Sequence, residues 1–257
     1  MADLETAIQR YQKALDNTPD DHPDRARRLE SLGTRYGNRY QRTKVIANLE
    51  TAIQRYQEAL DNTPNNHPNR ARRLESLKIG YENRYQRTRV IANLETAIQR
   101  YQEALDNTPN NHLNRARRLE SLGTRYKDKY QRTEAMANLE TTIQQFQEAL
   151  DNSLSYIPVR LQASINLLKL HTEANNWSLT YQAAFARVYL ISLLTPRFLE
   201  NANKQNLFVR VVGLTSNATA VALIARKTRY EAIQFLEVGR DVILGSLNEM
   251  RVDISDL

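Results

Sequence analysis

Cysteine is absent from the 257 residues, and glycine and proline occur seven times each. Without cysteine there is no disulfide framework, no thiolate metal site and no cysteine nucleophile within these residues. Glycine and proline each make up 7 of 257 positions, well under the usual ~7% and ~5%. So few turn formers over this length favour long helices over many short strands. No apolar run approaches the roughly 20 residues of a membrane helix. The richest stretch, Leu207 to Ala225, is broken by Arg210 and Asn217. The first residues, Met1-Ala2-Asp3-Leu4, carry no basic region followed by an apolar run, so a signal peptide is not expected. These absences lead to the expectation of an intracellular, cytoplasmic protein with no membrane partner.

What is present is enough to bury a core: 41% of residues are hydrophobic and 7% aromatic. The net charge of +7 is dispersed. Residues 1–155 hold 25 basic and 21 acidic side chains, and residues 156–257 hold 11 and 8. A spread excess without a basic tail points to solubility, and no nucleic-acid partner is expected.

A 45-residue period organises the first half. Leu4-Glu5-Thr6-Ala7-Ile8-Gln9-Arg10-Tyr11 returns at Leu49, at Leu94 and, altered, at Leu139. Residues 49–93 and 94–138 agree at 35 of 45 positions. A fixed period of this size predicts a solenoid, in which each unit buries its apolar face against its neighbours. Each unit reads as two helices. Leu49, Ala52, Ile53, Tyr56, Ala59 and Leu60 form one stripe on a 3.6-residue period, with Asn48 as the expected N-cap and an end before Pro64. The second helix is expected from about Asn69-Arg70 to Gln86, through Ala71, Leu74, Leu77, Tyr81 and Tyr85.

These residues resemble the tetratricopeptide repeat (TPR). Leu32-Gly33 and Tyr36 match its helix A; Ala52, Tyr56, Ala59 and Pro64 match its helix B. Leu122-Gly123, Tyr126, Thr142, Phe146 and Ala149 repeat the pattern. The ordinary repeat has about 34 residues. Here seven residues are added between Gly33 and Ala52 and four between Pro64 and Leu77, so both the inter-helix turn and the inter-repeat loop are expected to be longer. In the middle unit Lys78 replaces the glycine, which predicts a looser helix contact there. The resemblance implies an all-α, right-handed α-solenoid of extended, 45-residue TPR-like hairpins. On this register residues 1–154 hold a lone helix B plus three units, as in a fragment of a longer array. Residues 155–257 hold degenerate helical pairs: 157–174, 176–194, about 203–226 and about 229–250. Trp177 is expected in the core, Ala232, Leu236 and Gly239 form a small-large-small set, and Gly213 and Gly239 read as close-packing sites.

The second half carries another resemblance. Leu193-Leu194-Thr195-Pro196-Arg197, then Gly213-Leu214, Leu236-Glu237-Val238-Gly239-Arg240 and Arg251-Val252-Asp253-Ile254-Ser255-Asp256-Leu257 are similar to the segment joining TPR arrays to CHAT domains, which are caspase-like protease domains common in fungal proteins. The His22-Pro23-Asp24-Arg25 loop resembles the repeat loops of those arrays. The resemblance implies a downstream CHAT-type domain as a partner. CHAT catalysis needs a His/Cys dyad, so no catalytic residue is carried onto this chain.

Other constellations have structural readings. His22, His67 and His112 recur 45 residues apart in equivalent loops, where a capping role is expected rather than a metal site. The triplet Arg25, Arg27, Arg28 recurs as Arg70, Arg72, Arg73 and as Arg115, Arg117, Arg118. Positive charge at a helix N-terminus opposes the macrodipole, so these guanidiniums need partners. Acidic side chains of the array, such as Glu30, are the nearest; an acidic ligand is the other reading. There is no Gly-rich phosphate loop and no paired-carboxylate cleft, so no cofactor, metal or enzymatic activity is expected.

In TPRs helix A lines the concave groove that takes peptides. The resemblance places Arg27, Glu30, Thr34 and Asn38, then Arg72, Glu75, Ile79 and Asn83, then Arg117, Glu120, Thr124 and Asp128, on that face. An Arg/Glu ladder there suits an extended peptide or its carboxylates. The expected function is a non-catalytic protein-protein interaction and regulatory region that binds a protein or peptide partner in the groove. The alternative is a structural spacer or self-association scaffold with an empty groove, open to homo-oligomers; near-identical repeats fit it, because a spacer constrains each unit only through stacking.

Overall fold

The computed structural model describes the backbone of residues 2–193 and 201–255, and the side chains of residues 3–193 and 211–245. Among the described residues the chain is all-helical: α1 Ala2–Asp16, α2 Arg25–Thr43, α3 Ile46–Asp61, α4 Arg70–Thr88, α5 Ile91–Asp106, α6 Arg115–Thr133, α7 Met136–Asp151, α8 Ile157–Glu173, α9 Trp177–Ser192, α10 Asn201–Ile224 and α11 Arg229–Ser255. Helices pack on their sequence neighbours, giving the expected all-α solenoid. Two compact units result, residues 1–142 and 143–257, with the division falling inside α7. The strict 45-residue period, by contrast, runs to about residue 154. Among the described residues no helix is long and apolar enough to cross a membrane, and no three His, Asp or Glu side chains gather as a metal site.

In the first unit α2 packs on α3 and α4 on α5 as hairpins, and α3 meets α4 as α5 meets α6 between them. The apolar stripe does what its period predicts: Leu32, Leu49, Ala52, Leu74, Leu77, Leu94, Ala97 and Leu122 are sealed from solvent. The seven added residues do not lengthen the inter-helix turn. They lengthen the helices: α2 runs on from Gly33 to Thr43, α3 starts at Ile46, and only Lys44 and Val45 lie between. The inter-repeat loop, residues 62–69, is long, as expected. Val45, not Asn48, is the N-cap of α3; Asn48 is inside the helix and donates from Nδ2 to Thr43 Oγ1 at 3.1 Å.

So short a turn forces one residue into the left-handed region. Lys44, Arg89 and Glu134 have φ of 55°, 57° and 54°, and each N–H reaches a tyrosine carbonyl (Tyr40, Tyr85, Tyr130) at 2.7 Å. A side chain there costs ~1–2 kcal/mol, and glycine removes that cost while adding ~0.5–1 kcal/mol of chain entropy. Replacing all three with glycine is expected to raise stability by about 1–2 kcal/mol. A rise in the urea midpoint at constant m-value checks it.

Gly33 and Gly80 mark the closest helix contacts. A Cβ at Gly33 would meet the Tyr56 ring at 2.8 Å, and one at Gly80 would meet Ile53 Cγ1 at 2.7 Å. Units 1 and 3 carry Gly33 with Arg35 and Gly123 with Arg125; the middle unit carries Lys78 with Gly80. The two glycines serve different contacts: Gly33 approaches α3 of its own hairpin, whereas Gly80 approaches α3 of the hairpin before it. At the position equivalent to Gly33, the Lys78 ammonium sits 3.8 Å over the Tyr101 ring of its own hairpin.

In the second unit α8 packs on α9, and α9, α10 and α11 pack on one another around Ala184, Val188, Ala218, Ala222, Ala232 and Phe235. Ala232 and Gly239 hold their expected small positions; a Cβ at Gly239 would meet Thr215 Oγ1 at 2.7 Å. The large position is filled by Phe235, 3% exposed, while Leu236 and Ile233 are 44% and 53% exposed. Phe185 is exposed too. Gly213 faces open space rather than a close contact, and Trp177 is only half-buried at the first residue of α9. Leu194-Thr195-Pro196-Arg197 and Asp256-Leu257 lie outside the described residues.

Candidate functional site

The arginine triplets fall on the loops where each B-type helix hands over to the next A-type helix. The first member of each triplet donates from Nη1 to a carbonyl at the end of the preceding helix: Arg25 to Thr18 O at 2.6 Å, Arg70 to Thr63 O and Arg115 to Thr108 O, both at 2.9 Å. The third member, Arg28, Arg73 or Arg118, donates to the hydroxyl of the same threonine. That hydroxyl in turn donates to the carbonyl of Ala14, Ala59 or Ala104. Charges that would strain the N-terminus of their own helix thus sit against the carbonyl end of the helix before, where the dipole favours cations. The three histidines complete the loop, each Nδ1 accepting from the N-cap backbone N–H (Asp24, Asn69, Asn114) at 3.0 Å.

A second set of contacts joins A-type helices of successive units. Glu30, 7% exposed, accepts from Arg72 at 2.8 Å and from the Ser76 hydroxyl at 3.0 Å, with Arg73 Nε at 3.9 Å. One unit on, Glu75 accepts from Arg118 at 2.7 Å, so the rung passes from the middle member of the triplet to the buried third. Arg125 bridges Glu82 and Asp128 at 2.8 and 2.7 Å, and Gln41 donates to Asn83 at 3.3 Å. Burial pushes the Asp128 carboxyl up, and Arg125 draws it back down. Each A-type helix is also tied to the preceding B-type helix, through Arg39–Glu5 at 3.3 Å, Arg84–Glu50 at 3.1 Å and Lys129–Glu95 at 3.0 Å.

The twelve residues placed on the groove face therefore divide. Glu30, Arg72, Glu75 and Asn83 are engaged between units. Thr124 donates to the carbonyl of Glu120, and Asp128 is held by Arg125. Arg27 is exposed and pairs with its own Asp24 at 3.2 Å, while Thr34, Asn38 and Arg117 are exposed and Ile79 is 50% exposed. Not foreseen were Ser76, Glu82 and the threonine partners of Arg73 and Arg118, two guanidiniums already expected to pair with acidic side chains of the array. The recurrence of threonine at positions 18, 63 and 108, seven residues before the first arginine of each triplet, is the signal that points to them. The arginine, though not the threonine, persists beyond the visible repeat: Arg160, 45 residues after Arg115, donates from Nε to Leu150 O at 2.8 Å, as Arg115 does to Leu105 O at 3.4 Å.

No protein-family model and no curated protein matches the chain. Among solved structures it is similar to BtubC (BKLC) from P. vanneervenii, at 15% identity and a TM-score of 0.50, over 95% of this chain and 92% of that one. At that identity the likeness is one of fold: a helical solenoid.

Proposed function

We propose that the chain is a non-catalytic protein-interaction region whose A-type helix face takes an extended peptide segment of a partner, in a protein carrying a downstream CHAT-type domain. The observation that carries the reading is on α4. Ile79 stands half exposed between two polar rungs, with Arg117, Thr34 and Asn38 open on the same series of helices. An apolar residue at that point gives a peptide side chain a place to rest, while the exposed arginine and amide offer donors to its backbone and carboxylates. The CHAT-type neighbour rests on the short motifs of the second half alone.

The test is selection of peptide binders from a displayed library on the full chain. Binders are expected to weaken by about tenfold or more when Ile79→Glu is combined with Arg117→Ala. Binders insensitive to that pair would sink the reading. A second reading, a spacer with no groove ligand, is favoured by the internal pairing of Glu30 and Glu75. It predicts no selectable binder to this face, together with concentration-dependent mass in light scattering.

A further inference from the structure

In the second unit, between α9 and α11, lies a cavity of about 370 Å³ lined by aromatic rings of both helices and by carboxylates of α11. Tyr181, Phe185 and Phe235 touch one another, with ring centroids 5.8–6.4 Å apart. Phe185 and Tyr189 are 52% and 55% exposed at its mouth. Glu231, Glu237 and Asp241 line the α11 side, and no basic side chain is among the lining residues. In a protein of net charge +7 this is a local reversal of sign. A cation already uses one of the rings: Lys227 Nζ stands 4.7 Å from the Tyr181 centroid.

We infer that this cavity is a binding site for a lysine or arginine side chain of a partner segment in which basic and apolar residues alternate. The alkyl stem of such a side chain lies along Phe185 and Tyr189, and its charged end reaches the ring faces and the carboxylates beyond. The carboxylates retain capacity for it. Glu237 and Asp241 share the single charge of Arg240, which is 61% exposed and open to exchange. Glu231 is held in place by accepting from the Thr228 backbone N–H and hydroxyl, both at 2.8 Å, which caps α11 and fixes the acid beside Tyr181. An anionic or uncharged apolar segment would leave these carboxylates facing an apolar surface, which disfavours it.

The experiment uses the full chain and a fluorescent peptide of alternating leucine and lysine, followed by anisotropy, beside the same peptide with glutamate for lysine. The lysine peptide is expected to bind and the glutamate peptide not. Phe185→Ala with Tyr189→Ala, and separately Glu237→Gln with Asp241→Asn, are each expected to weaken binding by about tenfold. Lys227→Ala, which clears the ring face, is expected to tighten it by a few-fold. The charge pair keeps the inference testable if the aromatic pair disturbs the fold. No binding of the lysine peptide overturns it, as does equal binding of the two peptides or indifference to both double variants. A concentration-dependent dimer lost in Phe185→Ala with Tyr189→Ala, without peptide binding, would assign the cavity to a second copy and also overturn it.

Discussion

Arg118→Ala is expected to lower the stability of the first unit by about 3 kcal/mol, the largest effect of any single polar side chain there. The guanidinium is 7% exposed and serves two partners, the Thr108 hydroxyl and Glu75 at 2.7 Å. Removing it leaves Thr108, 4% exposed, with one partner fewer and takes away the cation facing a one-third exposed carboxylate. It also removes one of the two arginine links between the end of α5 and the start of α6, leaving that of Arg115 to Thr108 O. Arg118→Met separates the causes, because it keeps most of the stem and loses only the charge and its hydrogen bonds. Urea unfolding of the two variants reads the difference, with methionine expected to recover roughly 1 kcal/mol by filling the space. A loss under about 1 kcal/mol for alanine would show that the contact is no stronger than an exposed ion pair.

Between pH 8 and 10 the protein is expected to gain about 2 kcal/mol of stability relative to Lys78→Met. Burial, the dominant cause, lowers the Lys78 ammonium from 10.5 to about 8; Glu75 opposes the shift and Arg118 adds to it. A lysine lowered in the folded state loses its proton there first. The unfolded chain then binds more protons across the window, and stability rises with pH. Below pH 8 both states are charged, and the folded protein holds a buried ammonium that only the Tyr101 ring and nearby carboxylates balance. Tyr101 sets the upper limit, because burial and Glu82 push its phenol up and so favour unfolding above about pH 10. Urea midpoints across the range test this; a flat difference between wild type and Lys78→Met would contradict it.

The helices and the buried stripe were legible because repetition states them three times. Leu49, Ala52 and Leu94 are where a 3.6-residue period puts them, and the long loop before each A-type helix follows from its prolines. The turn was not legible. An insertion between Gly33 and Ala52 reads equally as loop or as extra helical turns, and only φ at Lys44 resolves which. The arginine triplet was legible as a problem, charge at the wrong end of a dipole, but its solution lies on the preceding helix, through the threonine that recurs seven residues before each triplet. In the second half no repetition averages out local accident. Leu236 and Phe235 are both large, adjacent and apolar, and which one faces the core depends on the rotation of α11 against Thr215 and α10.

The threonine–arginine clamp also bears on how such an array changes length. Every contact it makes runs from the end of one unit to the beginning of the next, and the Glu30–Arg72 and Glu75–Arg118 rungs likewise reach only one unit ahead. Excising or duplicating one period of 45 residues re-creates the same junction, so the encoded array can grow or shrink by recombination without a frustrated seam. The exception is the unit with Lys78 and Gly80 in place of the glycine–arginine pair. It is individually marked, and losing it would shorten the stack and remove the buried Lys78 ammonium together.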